Sequence, residues 1–151
     1  MTLPDMDWGL VINRLWHLLV AYGLAIPIGL DRERGRRQFG LRTFPLVAVV
    51  SCGFMMVGIS IIDSTDGEAR VIQGIITGIG FIGGGAIFKG ESTVSGTASA
   101  ASIWNTGAIG LAVAFNLFEI AILLSLLNFT TLWLFGEVKR EIRENGPDEN
   151  S

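Results

Sequence analysis

The densest cluster of residues that could do chemistry runs from Asp31 to Arg42, where five arginines accompany two carboxylates. A guanidinium group can bind a carboxylate or a phosphate through two parallel hydrogen bonds, so this loop could hold a network of ion pairs. Its candidate functional residues are Asp31, Arg32, Glu33, Arg42 and Thr43. The plainer interpretation is that the arginines only supply a block of positive charge whose partners lie outside the protein.

Small and polar residues at helical spacing form a second candidate site. Glycines recur at intervals of four from Gly74 and from Gly80, and hydroxyl side chains recur at similar spacing after Ser95. Small faces let two helix backbones approach closely, so tight packing of these two segments is expected. The same hydroxyl-lined seam could instead be a conduction path or a ligand site. Its residues are Gly74, Gly78, Gly80, Gly83, Gly84, Gly85, Ser99, Ser102, Asn105 and Thr106.

The segment from Gly78 to Gly83 also matches the G-x-G-x-x-G fingerprint of dinucleotide-binding proteins. That fingerprint has meaning only between a strand and a helix, with an acidic residue about 20 positions later to hold the ribose. Here the segment lies inside an apolar stretch of 18 residues, and Ile103 stands at that offset. Helix packing explains these glycines better than nucleotide binding does.

Cysteine and histidine are too scarce to build most metal centres. Cys52 and His17 are the only residues of their types, which argues against a disulfide framework and against a cysteine or multi-histidine metal site. No base stands near a candidate serine, and the apolar stretches contain no pair of carboxylates, so the sequence opposes an enzyme. We expect no cofactor and no nucleic-acid partner.

The elements that carry these residues belong to a chain with the composition of a membrane protein. It is 50% hydrophobic and only 17% charged over 151 residues, whereas a soluble domain has about 25% charged residues. The uncharged run 44–62 has the length of about 20 residues that an α-helix needs to cross a bilayer. We therefore predict an all-α bundle of five transmembrane helices in one domain, residues 1–136, followed by a short charged tail, residues 137–151. The predicted spans are 10–30, 44–62, 71–88, 97–115 and 118–135.

Lysine and arginine are distributed unequally between the two predicted sides of the membrane. Nine lie in the first loop, the third loop and the tail, whereas only Arg14 and Arg70 lie on the opposite side. The positive-inside rule then places the N-terminus outside, with the Asp31 to Arg42 loop and the C-terminus in the cytoplasm. In this setting the loop arginines could serve only to fix topology and to meet anionic headgroups, at about 1 kcal/mol each.

Site-directed labelling tests this topology. In a Cys52→Ala background, a cysteine introduced by Asp66→Cys is expected to react with a membrane-impermeant thiol reagent added from outside, because residue 66 lies between the second and third spans. The measurement is labelling in intact cells compared with inverted vesicles. Reaction of this cysteine from the cytoplasmic side only would reverse the predicted orientation.

Three sequence blocks in order resemble the MgtC/SapB family of bacterial inner-membrane proteins. They are residues 29–33 with 40–43 (GLDRE and GLRT), 78–85 (GIGFIGGG), and 96–104 with 108–110 (GTASAASIW and AIG). Asp31 stands where many members have Glu, and Ser95 where a basic residue is common. Because about 16 residues follow the last span, we expect the short form without the soluble C-terminal domain that some members carry.

The resemblance implies a multi-pass protein of the bacterial inner membrane associated with growth under magnesium limitation and, in pathogens, with survival inside host cells. Two functions remain open at this point. One is a regulator that binds another membrane protein, or a second copy of itself, through its flat helix faces. The other is a small transporter or channel for cations such as Mg²⁺, which would be attracted by an acidic surface on the predicted outer side. Whether Mg²⁺ binds the protein directly is equally open.

Overall fold

A computed structural model describes residues 6–34, 40–90 and 93–144 of the chain. Five α-helices and one very short antiparallel hairpin account for nearly all of these residues. In chain order the elements are α1 (Trp8–Arg34), α2 (Thr43–Ile61), α3 (Thr65–Gly84), β1 (Phe88–Lys89), β2 (Val94–Ser95), α4 (Thr97–Ala114) and α5 (Phe118–Glu144).

The prediction of five helices is confirmed, and the predicted bounds of the third are wrong. α3 begins six residues before the predicted span, because the Ser64 side chain caps it by accepting a hydrogen bond from the Gly67 backbone N–H at 3.2 Å. It ends at Gly84 rather than at residue 88, since three consecutive glycines favour termination over helix continuation. Phe88 belongs instead to β1, which pairs with β2.

Three of the five helices, α1, α2 and α5, are long and apolar enough to cross a membrane. Within the described residues, α3 and α4 are less hydrophobic than these three helices. Composition therefore does not support two of the five predicted spans. α3 contains Glu68, Arg70 and Gln73 in its first half, and α4 is rich in alanine, serine and glycine. A helix of low hydropathy is expected in a membrane only where other helices shield it from lipid.

α4 has that shielding, because it occupies the centre of the bundle. It contacts each of the other four helices, and its contact with α2 is the most extensive in the molecule. Ile103, Ile109 and Val113 of α4 are fully buried together with Phe44 and Met55 of α2. A central position therefore explains why α4 can carry small and hydroxyl side chains along most of its length.

The α3–α4 connection returns the chain sharply into the bundle. Gly96 precedes α4 with a backbone φ of +86°, in the left-handed region that favours glycine. A Cβ atom at this position would overlap the Ala86 carbonyl oxygen, so the close approach of the two backbones also requires glycine. The hairpin positions the start of α4 directly against the end of α3.

Candidate functional site

Near the end of α1, the Glu33 carboxylate binds the backbone that leads into α2. Its Oε2 atom accepts a hydrogen bond from the Leu41 backbone N–H at 3.2 Å. A Cβ atom at Gly40 would overlap this carboxylate, and one at Gly29 would lie 3.1 Å from the Leu41 Cα atom. Gly29 and Gly40 therefore allow the backbone around Leu41 to lie against the end of α1. Larger residues at these two positions would prevent the contact with Glu33.

Arg42 takes no part in the ion-pair network that the sequence allowed for this loop. Asp31 and Thr43 are half-buried, Arg42 is exposed, and no ion pair joins Arg42 to Asp31 or Glu33, although all three lie in the described part of the chain. The Glu33 carboxylate binds the Leu41 backbone amide instead. Arg42 is the N-cap residue of α2, and its side chain faces outward. Arg32 is the buried arginine, at 5% exposure. The remaining loop residues, 35–39, lie outside the described residues.

The predicted packing of the glycine seam is also wrong for most of its α3 residues. A Cβ atom added at Gly74, Gly78, Gly80 or Gly84 would meet nothing within 4 Å. Gly83 is the exception, because a Cβ atom there would lie 3.2 Å from the Ala100 carbonyl oxygen of α4. A Cβ atom at Gly85 would meet only carbonyl oxygens of Phe81 and Ile82, at the end of α3 itself. The helix turns a different face toward α4, with Ile75, Ile79 and Gly83 buried.

The polar residues of the seam on α4 point away from α3 or are bonded within their own helix. Asn105 Nδ2 donates to the Leu124 carbonyl of α5 at 3.3 Å, and Thr106 Oγ1 donates to the Ser102 carbonyl at 2.6 Å. Ser99 and Ser102 are buried. Of the four polar seam residues on α4, Ser102 and Asn105 line a groove between α4 and α5, whereas Ser99 and Thr106 do not.

One amide in this α4–α5 groove retains hydrogen-bonding capacity. The Ser102 hydroxyl lies 2.8 Å from the Ala98 carbonyl oxygen and 3.0 Å from Asn128 Oδ1. A hydroxyl carries a single proton and can donate to only one of these oxygens, unless the Asn128 amide turns its NH₂ group toward Ser102. Asn128 Nδ2 is buried and has no partner among the described residues. In either amide orientation, one polar atom of Asn128 remains unsatisfied.

The uncovered face of α3 borders an apolar groove between α2 and α3. The groove has a volume of about 590 Å³ and includes Gly74 and Gly78 in its wall, opposite Phe54 and Val57 of α2. Phe81, on the same side of α3 as these glycines, is 87% exposed. This surface could receive an elongated apolar partner such as a helix.

Sequence reasoning missed a polar pocket at one end of the bundle, where α1, α2 and the α4–α5 turn meet. We call it the Arg14 pocket; its volume is about 160 Å³ and its lining is Leu10, Asn13, Arg14, His17, Met56, Ile59, Ser60, Ala114 and Asn116. The only available signal was Arg14 itself, an arginine on the side of the membrane predicted to be poor in basic residues.

His17 is the buried member of this pocket, at 7% exposure. Its Nδ1 atom lies 2.8 Å from the Asn13 carbonyl oxygen and its Nε2 atom 2.8 Å from Asn116 Oδ1. The carbonyl can only accept, so Nδ1 carries a proton. Nε2 then either donates to Asn116 from a doubly protonated ring or accepts from the turned amide of a neutral ring. Asn116 has a backbone φ of +60°, a conformation that asparagine adopts more readily than most residues.

Metal-ligating side chains do not cluster in the described ranges. No group of three histidine, cysteine, aspartate or glutamate residues there could hold an ion. Cys52 is buried in α2 and is a free thiol.

Comparisons with known proteins identify the family of the chain. A model of the MgtC family matches residues 18–141. The chain is 34% identical to protein SrpB of Synechococcus elongatus, over 91% of this chain and 81% of SrpB. It is 32% identical to the putative magnesium transporter YhiD of Escherichia coli, over 74% of this chain and 55% of YhiD. It is 30% identical to protein MgtC of Salmonella typhimurium, over 89% of this chain and 58% of MgtC.

No solved structure matches the chain significantly. The matches to YhiD and MgtC cover little more than half the length of those two relatives. The family model covers most of the present chain, including the loop after α1, the glycines of α3 and the whole of α4. This membrane protein therefore belongs to the MgtC family.

Proposed function

We propose that this protein acts in the bacterial inner membrane as a non-catalytic regulator that binds another membrane protein during adaptation to magnesium limitation. The observation that supports this proposal is the uncovered face of α3 beside the α2–α3 groove. Family membership supports the magnesium context, because one relative is named a putative magnesium transporter.

The uncovered face is poorly suited to lipid. Gln73 and Thr77 are exposed in the middle of α3, and the four open glycines present bare backbone on the same helix. A polar side chain facing hydrocarbon is costly, and a small-residue surface gains little from contact with acyl chains. A second helix laid along α3 would bury this backbone and could hydrogen-bond to Gln73. The surface is therefore better suited to a protein partner.

A matched pair of leucine substitutions tests the proposal. Gly78→Leu is expected to fold and insert normally, because a side chain at this position meets nothing within the chain, yet to lose complementation of growth in low magnesium by blocking the partner surface. Gly136→Leu is the control, since Gly136 is an equally open glycine on α5. The measurements are growth yield and the amount of folded protein in the membrane. Full complementation by Gly78→Leu would contradict a role for this face.

Cation transport is the second candidate. It is favoured by an acidic cluster at the α2–α3 turn and the start of α3, in which Asp63 and Asp66 are exposed and Glu68 is half-buried. Purified protein in proteoliposomes with a magnesium gradient separates the two functions. The regulator proposal expects the same ion flux as in empty liposomes, and protein-dependent magnesium flux would overturn it.

A further inference from the structure

We infer that the Arg14 pocket is a binding site for an oxyanion of the phosphate type. This inference is independent of the proposed regulatory role, because the pocket lies among α1, α2 and the α4–α5 turn rather than on the α3 face. Its lining includes an arginine, a histidine, two asparagines and a serine, and no acidic residue.

The arginine is positioned by a neutral oxygen. Arg14 Nη2 donates to Ser60 Oγ at 3.0 Å, and the Ser60 hydroxyl in turn donates to the Met56 carbonyl at 2.7 Å. Ser60 therefore accepts a hydrogen bond from Arg14. Because the hydroxyl is neutral, this contact does not neutralise the positive charge of the guanidinium. A guanidinium has five N–H donors, so most of them remain available after this contact. This is the arrangement that planar, bidentate recognition of an oxyanion requires.

The neighbouring carboxylates do not neutralise Arg14. Asp7 Oδ1 accepts hydrogen bonds from the backbone N–H groups of Gly9 and Leu10 and so caps the N-terminus of α1. Asp63 and Glu119 are exposed and do not line the pocket. Within the described part of the chain, no ion pair joins Arg14 to any of these carboxylates.

His17 forms the buried wall of the pocket, and its hydrogen bond joins it to Asn116, which is exposed together with Arg14 and Ser60. The buried imidazole is fixed on both sides by hydrogen bonds, and the ring lies 5.7 Å from that of Phe118. The amide of Asn116 can offer either its oxygen or its NH₂ group to the site. These groups suit a small oxyanion and disfavour a divalent cation.

Two sources share this ligand chemistry: the phosphate of an anionic phospholipid headgroup, and inorganic phosphate from the aqueous phase. Purified protein in a neutral detergent provides the assay, with the thermal unfolding midpoint measured against increasing phosphatidylglycerol in one arm and increasing inorganic phosphate in the other. Binding to the folded state raises the midpoint in proportion to the logarithm of ligand concentration. A rise in the lipid arm alone identifies a headgroup site, and a rise with inorganic phosphate identifies a soluble oxyanion; either result supports the site.

Arg14→Gln is expected to weaken the apparent affinity about tenfold or more, because it removes a charge-assisted donor. Arg70→Gln is the matched control, since Arg70 is an exposed arginine on the same predicted side and lies outside the pocket. Ser60→Ala retains the charge but releases the guanidinium, so a smaller loss is expected. The inference is overturned if neither ligand raises the midpoint, or if Arg14→Gln and Arg70→Gln reduce binding equally.

Discussion

A Gly110→Ala substitution is expected to lower the free energy of unfolding by about 3 kcal/mol, enough to deplete the folded protein in the membrane. Gly110 lies on the central helix α4, where a Cβ atom would overlap the Ala48 carbonyl oxygen of α2. The obstacle is backbone, so it cannot be relieved by rotating a side chain. The helices would have to separate along the most extensive contact in the bundle.

Gly78→Ala is the control for this prediction. It adds the same methyl group to a helix glycine whose surroundings are open, so the thermal midpoint should stay constant or rise slightly. Gly107→Ala should fall between the two, because the atoms nearest to its methyl group belong to the Ile79 side chain, which can shift more easily than backbone. The midpoint can be followed by size-exclusion chromatography after heating in detergent. Equal midpoints for the Gly110 and Gly78 variants would show that α2 and α4 are not in backbone contact.

An Arg32→Ala substitution is expected to be similarly damaging, with a loss of about 3 kcal/mol in the free energy of unfolding. Arg32 is 5% exposed at the cytoplasmic end predicted for α1. Because the side chain is buried and engaged in an interaction, truncation to alanine removes that interaction and leaves a cavity in place of the long side chain. Arg32→Lys should recover only part of the loss, because an ammonium group cannot reproduce the planar arrangement of donors.

The adjacent loop provides the control for Arg32. Arg42 is exposed, and no carboxylate of the described chain pairs with it, so Arg42→Lys and Arg42→Ala should leave stability within about 0.5 kcal/mol of the parent protein. The same heating assay compares the four variants after their insertion has been checked. If the loop arginines served topology alone, both lysine variants would behave like the parent, because the positive-inside effect depends on charge and not on guanidinium geometry.

Composition and local sequence determined the class of this protein and most of its helix bounds. A long uncharged run in a membrane forms a helix, because in a helix every backbone polar group bonds within its own segment. The juxtaposition of Gly29, Glu33 and Gly40 is also local, because it depends on a short loop. The protein class and family membership could be predicted from the chain alone, whereas the contact of Glu33 with the Leu41 backbone amide was visible only in the structure.

Periodicity could not determine which face of each helix meets a neighbour. In a membrane the lipid-facing and the helix-facing sides of a helix can both be apolar, so the usual contrast between a polar outside and an apolar inside is lost. Gly78 and Gly110 therefore look alike in sequence, yet a side chain at one meets nothing and at the other meets the backbone of α2. That distinction required the packed arrangement of α2, α3 and α4.

The Arg14 pocket likewise exists only in the tertiary structure. Arg14 and Ser60 are 46 residues apart, and His17 and Asn116 are 99 residues apart. None of these residues belongs to a motif, and each by itself has the ordinary interpretation of a polar residue near a helix end. The pocket forms because the start of α1, the end of α2 and the α4–α5 turn meet in the folded bundle. Helix packing rather than sequence spacing therefore determined the site.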